Sequence, residues 1–126
     1  MNGENSKKVL IIDDDEFLLD MYSTKFKESG IGVEISLSAQ EALEKIRAGL
    51  NPSVVLLDII MQGMDGFGFL ETVKKESLLK DSKIIILSNS AQKGDIEKGL
   101  ALGAYSYLVK AYYTPSEIVK KAKELL

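Results

Sequence analysis

Val54-Val55-Leu56-Leu57-Asp58-Ile59-Ile60-Met61 is a run of seven apolar residues interrupted by one carboxylate. A continuous apolar run of this length, following Asn51-Pro52, reads as a strand buried on both faces, the kind found inside a parallel sheet. An unpaired carboxylate in such a place costs several kcal/mol. Asp58 therefore stands where the strand leaves the core, or it has cationic partners. An Asp that only caps the next turn is the more ordinary arrangement, so other parts of the chain have to decide.

Upstream, Lys8-Val9-Leu10-Ile11-Ile12 is a second β-branched run and reads as the first strand. Val33-Glu34-Ile35, Lys83-Ile84-Ile85-Ile86-Leu87 and Tyr105-Ser106-Tyr107-Leu108-Val109 read as strands two, four and five. Helical periodicity fills the gaps. Phe17, Leu18, Met21, Tyr22 and Phe26 mark one face, stopped by Gly30. Ser38-Ala39-Gln40-Glu41 has the form of a capping box and opens a helix with Ala42, Leu43 and Ile46 inward. Phe67, Leu70 and Val73 mark the third helix, after the turn-rich Gln62-Gly63-Met64-Asp65-Gly66. The fourth, around Ile96 and Leu100, is weakly specified because it contains Gly94 and Gly99. Thr114-Pro115-Ser116-Glu117 starts the fifth.

Strands alternating with helices predict an α/β fold with a doubly wound five-stranded parallel sheet and right-handed crossovers. The expected strand order is 2-1-3-4-5, that of a flavodoxin-like three-layer sandwich. Ligands of such sheets bind beyond the carboxyl ends of the strands, here between strands one and three. One domain is expected over residues 7–126, with residues 1–6 as a disordered tail.

Composition removes many chemistries. The 126 residues suit one core. A net charge of -3 and a pI of about 5.0 lack the basic footprint of a nucleic-acid binder or a polybasic membrane anchor. No apolar run approaches the ~20 residues that span a bilayer. The first residues lack the basic and apolar regions of a signal peptide, so a cytoplasmic setting is expected. Without Cys or His there are no thiolate metal sites, thiol nucleophiles, imidazole bases or Ser-His-Asp triads. Carboxylates, lysines, hydroxyls, backbone and a borrowed ion are what remain.

The strand ends gather those groups. Strand one ends in Asp13, Asp14 and Asp15, strand three in Asp58, strand four in Ser88 and strand five in Lys110. Taken singly, Asp15 reads as a helix cap, Ser88 as a cap of the fourth helix, and Lys110 as a surface lysine. Their arrival at one sheet edge is not expected from those separate readings. Carboxylates on adjacent strand ends repel, and a Mg²⁺ ion with oxygen ligands relieves the repulsion. Such an ion also binds a phosphoryl group, and an Asp carboxylate is a competent nucleophile toward phosphorus. Lys110 would pair with phosphoryl oxygens, and the Ser88 hydroxyl would donate to another.

With these residues in view, the chain resembles a response-regulator receiver domain of two-component signalling, similar to the single-domain chemotaxis type. The resemblance rests on the acidic pair after strand one, D-x-x-x-x-G-M-D-G from Asp58 to Gly66, a hydroxyl after strand four and a lysine after strand five. It implies that Asp58 is the phosphoacceptor and that Asp13 and Asp14 are the acidic pair. It also implies Mg²⁺ as cofactor, held by that pair with Asp58 and the Ile60 backbone carbonyl. Ser88 and Lys110 become the hydroxyl and lysine of the site, and Ser88 and Tyr107 the switch residues. The phosphodonor would be a histidine on a sensor kinase or phosphotransfer protein, the chain itself being no enzyme beyond phosphoryl transfer to, and hydrolysis from, its own Asp. The output would pass through the face of the fourth helix, fifth strand and fifth helix to an effector domain, a downstream protein or a second copy of the chain. No direct nucleic-acid or membrane contact is implied.

Two positions depart from the family pattern. Gln62 stands where Pro is usual, four residues after the phosphoacceptor, and Ala111 where Pro usually follows the lysine. A cis bond before a residue other than proline costs about 2.5–4 kcal/mol. The Lys110–Ala111 bond is therefore expected trans, with the loop from Ala111 to Tyr113 shifted to compensate. Rival readings are a degenerate receiver that binds proteins without phosphorylation, a haloacid-dehalogenase-type phosphatase using Asp13 and Asp15, and a flavodoxin-like electron carrier. Phe17 occupies the Thr/Val place of the phosphatase motif, and the acids after strand one replace the carrier's phosphate loop.

Overall fold

All five strands run parallel in one sheet of order β2-β1-β3-β4-β5, as the element order predicts. The structure is a computed structural model that describes residues 7–126. The tail expected over residues 1–6 lies outside the described residues. In chain order the elements are β1 (Lys8–Ile12), α1 (Glu16–Glu28), β2 (Gly32–Ser36), α2 (Ala39–Arg47), β3 (Val54–Leu57), α3 (Gly66–Lys75), β4 (Lys83–Ser88), α4 (Lys93–Ala101), β5 (Ser106–Val109) and α5 (Pro115–Lys123).

The central strands are buried on both faces because their side chains alternate between two cores. Leu10, Ile12, Val55, Leu57, Ile84 and Ile86 meet Leu43 and Ile46 of α2 and Phe69, Leu70 and Val73 of α3. Val9, Ile11, Val54, Leu56, Ile85 and Leu87 meet Leu19, Tyr22 and Phe26 of α1 and Ile118, Val119 and Ala122 of α5. The register pairs Ile12 with Leu57 across β1 and β3, so the residues that follow both strands emerge side by side.

The predicted strand over Val54 to Met61 ends earlier than the apolar run. β3 stops at Leu57, and Ile59 to Met61 form the loop beyond it. Ile59 and Met61 stay buried while Ile60 is 65% exposed. The apolar character past Asp58 thus anchors a loop, which periodicity alone does not separate from a strand. At α2, Ser38 accepts a hydrogen bond from the Glu41 backbone, the forward half of the predicted box. At α5 both halves form, between Thr114 and Glu117.

Candidate functional site

Asp13, Asp58 and Lys110 are delivered to one edge of the sheet by β1, β3 and β5. Asp13 is nearly buried and its carboxylate is doubly held. It accepts from the Asp15 backbone N–H at 2.9 Å and from Lys110 Nζ at 2.9 Å. Asp58, also nearly buried, is held more loosely. It accepts from the Ile60 N–H at 3.4 Å and stands 3.8 Å from Lys110 Nζ. Burial pushes its carboxyl up to about 6, against the downward pull of Lys110 and with a further upward push from Asp13. Like-charge repulsion is therefore secondary to desolvation in this shift.

Carboxylate oxygens of Asp13, Asp14 and Asp58 lie within 4.8 Å of one another. Three hard oxygen donors with no nitrogen or sulfur suit Mg²⁺. These acids, with Asp15, Leu18, Ile60, Asn89 and Lys110, line a cavity of about 220 Å³. A larger groove of about 460 Å³ between α1 and α5 holds Lys25, Lys120, Lys123 and Glu28 but gathers no cluster of acids like the one at the strand ends.

Asp15 behaves as a helix cap, accepting from the Phe17 and Leu18 backbones at the start of α1. Its Oδ1 is thus engaged as the N-cap of α1. Ser88 is fully buried and does not cap α4, whose N-cap residue is Gln92. Its hydroxyl instead accepts from the Ser90 N–H at 3.1 Å. Tyr107 is partly buried against the α3-side core, and its hydroxyl donates to the Ser90 carbonyl at 2.8 Å. Ser90 therefore touches both Ser88 and Tyr107, and its own hydroxyl donates to Asp95 at 2.6 Å. The sequence reading missed Asn89 and Ser90. It gave them no role, and only the paired hydroxyls of Ser88 and Ser90 hinted at a linked turn.

The Lys110–Ala111 bond is trans, as expected, since no described peptide bond is cis. Lys110–Tyr112 forms a single 3₁₀ turn, and the lysine still reaches both acids. Among the described residues no helix is long and apolar enough to cross a membrane.

The chain is similar to known proteins. A family model described as the response regulator receiver domain matches residues 9–123. The chain is 33% identical over 122 residues to a probable transcriptional regulator, ycf27, of Cyanophora paradoxa, covering 97% of this chain and 49% of that one. The chain spans about half the length of the curated relatives it matches first. Among solved structures, the Vibrio cholerae chemotaxis protein CheY4 superposes with a TM-score of 0.85 at 30% identity, covering 95% of this chain and 98% of that one. The response regulator TrrA of Thermotoga maritima, solved with Mg²⁺ and a beryllium fluoride, gives 0.80 at 30% identity, covering 95% and 99%. From strand order to acidic cluster, the features described above and these likenesses agree, and the chain belongs to the response regulator receiver domains of two-component signalling.

Proposed function

We propose that this domain takes a phosphoryl group onto Asp58 from a phosphohistidine of a partner kinase or phosphotransfer protein. The observation that supports this most strongly is the Asp58 carboxylate itself. It sits at the mouth of a buried strand, loosely hydrogen-bonded, opposite Lys110 and a second acidic strand end. With its pKa near 6 it is mostly ionised at neutral pH and competent to attack.

In the transfer, an Asp58 carboxylate oxygen forms the new P–O bond while the P–N bond to the partner's imidazole breaks. The imidazole leaves with the electron pair and takes up a proton. Asp13, Asp14, Asp58 and the Ile60 carbonyl are the groups that would hold Mg²⁺, which when bound supplies positive charge for the phosphoryl oxygens and relieves the repulsion among the acids. Lys110 lies close enough to Asp58 to pair with a phosphoryl oxygen there. Ser88 retains its hydroxyl proton for donation, and using it would draw on the turn that runs from buried Ser88 to half-buried Ser90. Tyr107, tied to that turn, would move with it. Water attack on the acyl phosphate would later restore Asp58, the chain's own part in hydrolysis.

The surface of α4, β5 and α5 is the reading face in this account, engaged by an effector domain, a separate protein or a second copy. A cytoplasmic setting agrees with a chain that carries no cysteine. Incubation with acetyl phosphate and Mg²⁺, read by intact mass, tests the chemistry. The wild type should gain one phosphoryl group and Asp58→Asn none. Equal labelling of both would sink the assignment.

A further inference from the structure

Asp14 differs from its two neighbours in how it is held. Its side chain is exposed, and it stands among like charges. Lys110 spends its shortest contact on Asp13. Repulsion from Asp13 and Asp58 favours Asp14 turning out to water. One contact opposes this: the backbone N–H of Gln62 donates to Asp14 Oδ2 at 3.2 Å, the only hydrogen bond to that carboxylate among the described residues.

Both ends of the bond are borne on anchored backbone. Asp14 follows Asp13, whose N–H donates to the Ser36 carbonyl at 3.1 Å and so continues the β1–β2 pairing. Gln62 follows Met61, which is buried. Gly63 then turns the loop at φ +76, beside the side chain of Gln40. The donor exists only because residue 62 is not proline, which has no N–H. The replacement of the family's usual proline by Gln62 thus adds a hydrogen-bond donor to the site.

We propose that the Gln62 backbone N–H is a positioning group that holds the Asp14 carboxylate beside Asp13 and Asp58 before any metal arrives. A divalent cation then meets an assembled set of acids and does not have to draw Asp14 in from solvent. The proposal rests on the receiver reading given above, because it presumes that the three acids take a cation.

The test separates backbone from side chain. Gln62→Pro deletes the donor, and Gln62→Ala keeps it. Mg²⁺ titration followed by amide NMR should show a dissociation constant about three- to tenfold weaker for Gln62→Pro, the scale of one modest hydrogen bond. Gln62→Ala should recover the wild-type value. A Gln62→Pro affinity equal to or tighter than wild type overturns the proposal and leaves the receiver reading intact. No saturable Mg²⁺ response in the wild type overturns both. A second measurement needs no folded proline variant and no metal. Exchange of the Gln62 amide proton should be several-fold faster in Asp14→Ala than in wild type, and equal rates would contradict the bond.

Discussion

The β3–α3 corner and the β4–α4 corner both carry the chain from the end of a central strand, across the same sheet edge, into a helix. Their fastening differs. At the first, Ile59 and Met61 are buried, the Gly66 N–H donates to the Ile59 carbonyl at 2.8 Å, and Asp65 caps α3 through the Gly68 N–H at 2.8 Å. α3 then buries Phe67, Phe69, Leu70 and Val73. At the second, Gln92 makes no side-chain cap, and Gly99 is the one buried residue of α4. Apart from Gly99 against Ile86, what holds α4 includes the polar Ser90–Asp95 hydrogen bond and Lys98, with its ammonium 4.5 Å from the Phe67 ring centre. Segments with few buried contacts are the ones that open at low cost. The comparison teaches a division of labour. The proposed nucleophile, Asp58, rides on the stiff corner, and the segment suited to respond is the loose one.

Crowding the stiff corner should give the largest effect. A Cβ on Gly66 would lie 2.5 Å from the Asp58 carbonyl oxygen and 2.7 Å from the Ile59 Cα, backbone atoms that cannot step aside. Gly66→Ala should therefore destabilise by about 1–3 kcal/mol and lower Tm by roughly 5–12 °C. A thermal melt within 2 °C of wild type, about half a kcal/mol, would show that this corner is softer than described.

The buried charge of the stiff corner comes next. Asp58 has its folded pKa raised from about 3.8 to about 6. A carboxyl so raised holds its proton longer in the native state than in the unfolded one. Its contribution is therefore most favourable below the unfolded value and is lost as pH rises toward 6. Asp58→Asn should leave metal-free stability nearly unchanged at pH 4 and raise it by about 1–2 kcal/mol at pH 7, allowing for residual solvent access. Denaturant titrations at the two pH values check this. An equal effect at both would remove the ionisation argument.

The loose corner should respond in the opposite sense to added bulk. A Cβ on Gly94 meets nothing within 4 Å, and the residue lies inside α4. Gly94→Ala should stabilise by about 0.5–1 kcal/mol through helix propensity and a less free unfolded chain. Loss of stability, read by the same denaturant titration, would mean that α4 is constrained by something other than its few contacts.

The two corners were also unequally legible in the sequence. The stiff one announces itself, because an apolar run, one carboxylate and a Gly-rich turn leave few physical alternatives for Asp58. Lys110 and the acidic pair are legible for a similar reason, since each follows a strand whose register the topology fixes. The boundary of β3 was not legible, because Ile59 and Met61 are as apolar as the strand before them. Gly99 looked only like a weakness of α4. In the fold it lies against β4, and an added Cβ would run into the end of Ile86. Ser90 was invisible as a junction because its partners, Ser88, Asp95 and Tyr107, are brought to it by β4, α4 and β5 together. Single-strand patterns carry no record of such a meeting.

The central claim is that a phosphoryl group on the stiff corner is answered by the loose one. Beryllofluoride with Mg²⁺, a phosphoryl mimic, allows this to be read directly by backbone and ring NMR. The account predicts shifts concentrated in residues 88–110, with the Tyr107 ring among them, while α3 beyond Gly68 stays close to its starting spectrum. Shifts confined to the immediate neighbours of Asp58, with Ser90 and Tyr107 unmoved, would contradict it.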